Sequence, residues 1–580
     1  MTPSARLVRS SVKDAKIDYN PVKMDKPSFS YLHISVSVGA RSLLRKVGLF
    51  FALAIVLVAA ILGTSIHAAE KPNRSTEIII SYTQYEWWLI RWSDNQPQCR
   101  IFTEHEGLPT GDDVFIYCGE DLYDEWFETE TCPEAVSEDG NTAECQGLYL
   151  HLIQETPAQK TIQVELPVAE AWINVSGCEL TPPENRCETL PNLLFIGQEP
   201  LPNEQITQIQ GTINEIPFVC PPGDTCEIPL RPTPLEGVTV EFWADSSFGD
   251  SSEHYTAQVR VVDTGVSMDA ESSGWYVDVL SDRWLGIQPS SCAQAWNAFP
   301  PVGGEVPPWL ASPEDPQELA SDEPYTYLAG RLIANNVVDA SECPAGGLEI
   351  NGYANPCGLE IAREEVTIWQ NQFDTEIITV SLQTQIPAQL MKNLFAQESQ
   401  FWPGVYRVSE EYGLGQLSET GADAVLLWNE EFYTQFCPLV LSAETCALGY
   451  AQLEENDQFL LRGALASDVN ADCADCPAGV DLSYTNFTIE LFAQTIKANC
   501  VQTGRVVSNY NNGLSPAEVA GYEDLWRFTL VNYHVGPGCL ADALNEVAQD
   551  HLPVNWQTVS GKLETLCPGA VEYVQKVTKE

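Results

Sequence analysis

Positive charge is scarce in this chain. Its 580 residues include 29 Lys and Arg against 81 Asp and Glu, a formal net charge of −52. A nucleic-acid partner requires a basic surface facing its phosphates, so this balance excludes that class. Nucleotide chemistry has no foothold either. No glycine-rich phosphate loop and no dinucleotide fingerprint occurs, and the Gly-Asp-Ser-Ser run at 249–252 lacks the G-x-S-x-G spacing of a nucleophile elbow. Metal patterns fail on detail. Asp468-Val469-Asn470-Ala471-Asp472 opens like a calcium loop, but Cys473 replaces the glycine of the sharp turn and Gly479 replaces the closing Glu. Cys473-x-x-Cys476 has no second pair or His at zinc spacing, which leaves a disulfide as the simpler reading. No metal and no cofactor is implied.

The few basic residues are unevenly placed. Residues 1–46 carry nine Lys/Arg against Asp14, Asp18 and Asp25, a net of +6, which leaves −58 for the rest of the chain. Residues 47–66 then carry no charge at all and are mostly apolar, a length that crosses a bilayer as a helix. Arg41, Arg45 and Lys46 precede this run, so the positive-inside rule puts the head in the cytoplasm and the bulk outside. The alternative is a cleaved signal peptide ending near His67-Ala68-Ala69, but the leader is long and its apolar run exceeds an ordinary signal core. The expectation is a basic cytoplasmic head over 1–46, a single-pass membrane anchor over 47–69 and an extracytoplasmic body. Cysteine agrees. All eighteen fall between Cys99 and Cys567, beyond the anchor, which fits disulfides in an oxidising compartment. Cys178/Cys187, Cys220/Cys226, Cys343/Cys357 and Cys437/Cys446 are near enough to close short loops, although spacing does not fix pairing.

Residues 70–158 read as a β-rich, disulfide-bearing region, with strands expected at 78–92, 114–118 and 147–153 separated by acidic loops. Trp87, Trp88 and Trp126 fit ordinary packing better than sugar stacking. Residues 159–285 alternate short apolar strands with Pro, Gly and Asn turns, as in an immunoglobulin-like β-sandwich. Residues 286–355 are rich in Pro and Gly and read as a linker with a connecting helix at 325–338. From 356 to 580 the helical period dominates, with helices expected at 364–383, 423–437, 481–500 and 517–538, the last stopped by Gly536-Pro537-Gly538.

One stretch in this last region carries chemistry. Pro387 suits a first helical turn. Leu390, Met391, Leu394 and Phe395 then recur at helical spacing, and Glu398 continues the row of 390 and 394. An apolar stripe that ends in a carboxyl group predicts a raised pKa, as a general acid working near neutral pH requires. The competing reading is a helix-end Glu turned to solvent.

Three blocks in order sharpen the choice: Glu398-Ser399-x-Phe401-x-Pro403, Gly413-Leu414-Gly415-Gln416, and Asn532-Tyr533-His534-Val535-Gly536. Across about residues 355–550 they resemble the soluble-lytic-transglycosylase family, which shows a helix ending in Glu-Ser, a Gly-Leu-Met-Gln segment and an Ala-Tyr-Asn-Ala-Gly motif. Here Gly415 stands in place of Met, and Asn532-Tyr533 reverses the family's Tyr-Asn order. The resemblance implies a mostly α, lysozyme-like domain at the end of a multidomain chain that also holds the transmembrane helix, the β-rich region and the sandwich. It implies peptidoglycan as the partner and cleavage of the MurNAc–GlcNAc β-1,4 bond to a 1,6-anhydro product. Glu398 would be the single acid and then base. Ser399, Gln416, Asn532, Tyr533 and Glu411 would bind substrate, with Tyr533 within reach of the Glu398 carboxyl. A water-activating hydrolase using Glu410, Glu411 or Glu419, and a non-catalytic glycan-binding protein, are the alternatives.

Overall fold

The structure is a computed structural model that describes residues 74–129, 145–182, 184–269, 272–287, 291–321, 325–405 and 411–579. It corrects the expected architecture. The described chain is a β-rich part over residues 75–280 followed by a helical part, and among the described residues no helix is long and apolar enough to cross a membrane. The span expected at 47–69 lies outside the described residues.

β1 (Ser75–Arg91) pairs antiparallel along its whole length with β3 (Leu148–Glu165), and β2 (Pro97–Thr103) joins the far end of β1. Between β2 and β3 the chain forms α1 (Gly111–Cys118) and α2 (Glu120–Phe127). The strand expected at 114–118 is therefore helical. Thr110 accepts a hydrogen bond from the Asp113 amide while the Asp113 side chain accepts from Thr110 N–H, and this reciprocal cap outweighs the β-prone residues that follow. Cys99–Cys118 ties β2 to α1 over a small core of Trp87, Leu89, Ile101, Val114 and Leu148.

The sandwich follows. Its strands are β4 (Glu170–Ser176), β5 (Arg186–Cys187), β6 (Asn192–Gln198), β7 (Ile206–Ile213), β8 (Ile216–Val219), β9 (Thr225–Pro229), β10 (Val238–Ser246), β11 (Tyr255–Asp269) and β12 (Ser272–Leu280). They form a six-stranded sheet, order β5-β12-β11-β10-β7-β8, and a three-stranded sheet, β4-β6-β9. Alternate residues point inward, so Ala171, Ile173 and Val175 of β4 meet Phe195 of β6 and Val240, Phe242 and Ala244 of β10 in one core. Six strands on three differ from the four-on-three count of an immunoglobulin constant domain.

The helical part begins earlier than the pattern predicts. Residues 291–319, expected in a linker, bury Trp296, Trp309, Leu310 and Leu319 in the main helical core. α3 (Ser291–Trp296) is pinned by the Cys292–Cys500 disulfide and by the Trp296 indole donating to the Cys500 carbonyl at 2.8 Å. Then come α4 (Thr326–Ala334), α5 (Pro356–Asn371), α6 (Asp374–Thr384), α7 (Ala388–Glu398), α8 (Glu419–Trp428), α9 (Glu430–Phe436), α10 (Ala443–Cys446), α11 (Glu455–Val469), α12 (Thr485–Tyr510), α13 (Tyr522–Val535), α14 (Pro537–Gln549), α15 (Trp556–Leu566) and α16 (Ala570–Thr578). The helices expected at 364–383 and 423–437 are each broken in two. At the second break the Asn429 side chain caps α9 by accepting from Phe432 N–H.

α12 is the axis of this part. Ile489, Phe492, Ala493, Ile496 and Cys500 enter the large core with α7 and α13, while Leu491 and Ala498 enter a smaller core with Val425, Leu426, Phe436 and Leu465 of α8, α9 and α11. Two lobes thus flank one long helix, and the cleft between them holds the candidate site.

Candidate active site

α7 is buried on every side. Ala388, Leu390, Met391, Leu394, Phe395 and Ala396 are joined inside by Lys392 and Asn393, so the helix is wrapped by protein rather than laid on a surface. The Lys392 ammonium is paired with Asp374 and lies 3.2 Å from Asn371 Oδ1. Asn393 Nδ2 donates to the Val577 carbonyl at 2.8 Å, which docks α16 on α7.

The helix stops at Glu398 because the next residues leave the helical region. Gln400 (φ 50°) and Phe401 (φ 64°) are both left-handed, which a bulky side chain rarely adopts without support. Here the support is visible. The Phe401 ring is fully buried, its backbone carbonyl accepts from the Trp369 indole at 2.9 Å, and the Gln400 side-chain Oε1 accepts from Tyr327 N–H at 2.8 Å at the start of α4. The turn fixes where the Glu398 carboxyl points.

That carboxyl opens on a cleft of about 680 Å³ lined by Glu398, Glu411, Gln416, Trp428, Asn532 and Tyr533, among others. Enclosure by protein pushes its pKa up to about 7, the Tyr573 hydroxyl bonded to Oε1 opposes the rise, and the charge of Glu411 adds to it. The expected perturbed carboxyl is therefore present, and burial is its main cause.

The other candidates divide. Gln416 and Asn532 stand on the cleft wall, each fixed through its amide nitrogen. Gln416 Nε2 donates to the Gly413 carbonyl at 2.7 Å, and Asn532 Nδ2 donates to Gln502 Oε1 at 2.9 Å. Gln416 Oε1 and Asn532 Oδ1 are buried acceptors with no partner among the described residues. Glu411 lines the same cleft, whereas Glu410 lies outside the described residues. Ser399 is corrected. It is 1% exposed, does not line the cleft, and donates to the Leu414 carbonyl at 2.7 Å. Its work is to tie the end of α7 to the 412–417 loop. Tyr533 is corrected in part. It faces the cleft, but its hydroxyl donates to the Gly415 carbonyl at 2.7 Å instead of to Glu398.

Gly415 has a steric reason. A Cβ there would sit 2.0 Å from Phe492 Cδ2, so no larger residue fits beside that ring. Phe492 in turn packs on Phe395 of the Glu398 helix, with centroids 4.7 Å apart.

Three further residues belong to the site; Tyr573 and Asp423 carry no motif in the sequence, and His534 lies inside the third block without a role assigned to it. Tyr573, on α16, bonds Glu398 from the far end of the chain. His534 stacks on Tyr573 with centroids 3.9 Å apart and planes 1° from parallel. Asp423, across the cleft, accepts from Arg462 at 2.9 Å and from the Tyr450 hydroxyl. Only the spacing of Ala570, Tyr573, Val574 and Val577 marks a buried face on α16. Comparison of the chain with family models, with curated proteins and with solved structures returns no match.

Proposed function

We propose that this cleft cleaves the β-1,4 bond between MurNAc and GlcNAc in peptidoglycan, as a lytic transglycosylase acting outside the cytoplasm. The observation that carries the reading is one carboxyl, Glu398, enclosed at the end of a buried helix, open to a cleft and protonated up to about pH 7. Eight disulfides join described cysteines, including all four short loops expected from spacing, and these support an oxidising compartment.

Tyr573 occupies Glu398 Oε1 as a donor. A protonated carboxyl has one O–H to offer, so the acid proton resides on Oε2. In the first step that proton passes to the glycosidic oxygen as the bond from C1 breaks. In the second, the carboxylate takes the proton of the C6 hydroxyl while O6 closes on C1. No water is consumed, and Glu398 ends protonated as it began. A group titrating near the working pH serves both steps. The unpartnered acceptors of Gln416 and Asn532 are suited to sugar hydroxyl and acetamide N–H donors.

A hydrolytic reading rests on a specific observation too. Glu411 and Asp423 line the same cleft and would supply the second carboxylate that activates water. Glu419 is held by Arg462 at 3.1 Å. Digestion of purified peptidoglycan followed by mass spectrometry decides. Anhydro-muramyl products are expected, and reducing ends without anhydro sugar discard the transglycosylase reading. Binding to sacculi without turnover discards both.

A further inference from the structure

Among the titratable groups that line the cleft and take no part in the two proton transfers, one is a histidine. His534 precedes the end of α13 and lies on the cleft wall. One whole face of its ring is laid on Tyr573, at 3.9 Å and 1° from parallel, while the residue as a whole stays open to solvent. Tyr573 is 5% exposed and donates its hydroxyl to Glu398. Three rings and a carboxyl therefore meet. His534 covers Tyr573, Tyr573 holds Glu398, and Tyr533 is near enough to Tyr573 and Glu398 to feel both.

A phenol donates along a direction set by the plane and position of its ring. On Tyr573 the α16 backbone fixes one end, and the imidazole fixes the face toward the cleft. We propose that His534 is a positioning residue, clamping Tyr573 so that the phenol keeps one oxygen of Glu398 occupied and leaves the other, with its proton, to the substrate. This rests on the glycan-cleaving reading of the cleft.

A charged imidazole would hold the stack but oppose the reaction. Cleavage passes through an oxocarbenium-like, positively charged state. An imidazolium on the wall of the same cleft repels that state. It also weakens Glu398 as the base of the second step, because a nearby positive charge favours the carboxylate. Loss of solvent around the ring holds the His534 pKa below the ordinary histidine value, which favours the neutral imidazole. The titratable groups around it are Tyr573 and Tyr533, with Glu398, Glu411 and Asp423 elsewhere on the cleft wall. Among the described residues no Lys or Arg lines the cleft.

The test has two arms. In the first, kcat/KM on purified peptidoglycan is followed against pH. Wild type gives a bell, with an alkaline limb near pH 7 from Glu398 and an acid limb from His534. His534→Phe keeps a ring on Tyr573 but cannot be charged, so it retains the alkaline limb and loses the acid limb. His534→Ala removes the clamp and lowers kcat by up to about a hundredfold, the scale of an ångström's misplacement of a catalytic group. An acid limb that persists in His534→Phe, or a wild-type kcat in His534→Ala, overturns the proposal. The second arm needs no turnover. The chain has seven histidines, few enough to titrate by imidazole nitrogen NMR, with His534→Phe assigning the signal. Tyr573→Ala uncovers the ring and raises the His534 pKa toward 6.5, whereas Tyr573→Phe leaves it in place. A His534 pKa indifferent to Tyr573→Ala overturns the clamp whatever the glycan assays give. A shifted pKa without turnover retains the clamp and removes the glycosidase.

Discussion

The β-sandwich and the helical part both bury charge, and they treat it differently. In the sandwich Arg74 reaches Glu199 at 2.7 Å and Asp250 at 2.6 Å, and Arg260 reaches Asp278 at 2.7 Å, with all five side chains under a tenth exposed. Each buried carboxylate there has a guanidinium. Glu199 is accordingly held well below the usual carboxylate range by its Arg74 bonds. In the helical part Asp374 has Lys392, but Glu398 has a phenol on one side and another carboxylate's charge on the other, and no cation among the described residues. A buried charge with a counterion stabilises a fold or at least does not break it. A buried carboxyl without one becomes a proton reservoir.

If that contrast is functional, the largest effect comes from removing the unpaired carboxyl. Glu398→Gln is expected to lower kcat on peptidoglycan by about 10²–10⁴-fold, the usual worth of a positioned acid–base group. The same variant gains stability at alkaline pH. The Glu398 pKa rises from 4.5 unfolded to about 7 folded, so the native state binds the proton more tightly and wild-type stability falls as pH rises through that window. Unfolding at pH 8 should show the variant more stable by up to about 3 kcal/mol relative to its difference at pH 4. A variant that loses activity and stability together at pH 8 breaks the comparison.

The paired charges predict the opposite pattern. Arg260→Met strands Asp278 in the sandwich and should cost about 3–5 kcal/mol in urea unfolding, with activity per folded molecule unchanged. Lys392 and Asp374 offer a sharper version because they sit beneath the site. Burial pushes the lysine down and the aspartate up, against their mutual attraction. Either single replacement, Asp374→Leu or Lys392→Met, should destabilise, and the two together should recover most of the loss. The coupling from the double-mutant cycle is expected at about 1–3 kcal/mol.

The two regions also differ in how far their sequence announces them. The sandwich is written residue by residue, since alternate residues of β4, β6 and β10 are buried, among them Ile173, Phe195 and Phe242, and the period of two survives any rearrangement of loops. Cys178–Cys187 and Cys220–Cys226 close loops of nine and six residues, short enough to be guessed. Glu398 was equally legible, because it extends a helical row of large apolar residues. Its partner was not. Tyr573 lies 175 positions away, and only packing of α16 on α7 brings it close. Tyr533 was expected in that role because it falls in the third block, but backbone geometry turned its hydroxyl to Gly415. The strand expected at 114–118 failed for a local reason, the Thr110–Asp113 cap. Within the range 286–355 the connecting helix appears as α4, but residues 291–319 pack into the core for a distant reason, since Cys500 lies 208 positions from Cys292 and no periodicity near either reveals the bond.

The two tyrosines supply the smallest effect and the finest test of the contrast between paired and unpaired charge. Tyr573 donates to Glu398, which favours the carboxylate and opposes the rise that burial causes. Tyr573→Phe removes that bond and leaves burial and Glu411 in place, so the Glu398 pKa moves further up. Activity that needs the protonated acid then persists to higher pH, and the alkaline limb of kcat/KM shifts upward. Tyr533→Phe removes a bond to the Gly415 carbonyl instead. That loss loosens the loop carrying Gln416 and should reduce kcat/KM by about tenfold or less, the worth of one hydrogen bond, with the alkaline limb unmoved. If the limb moves in Tyr533→Phe and stays in Tyr573→Phe, the proton on Glu398 is governed by the 412–417 loop, and the phenol of α16 is only part of the packing.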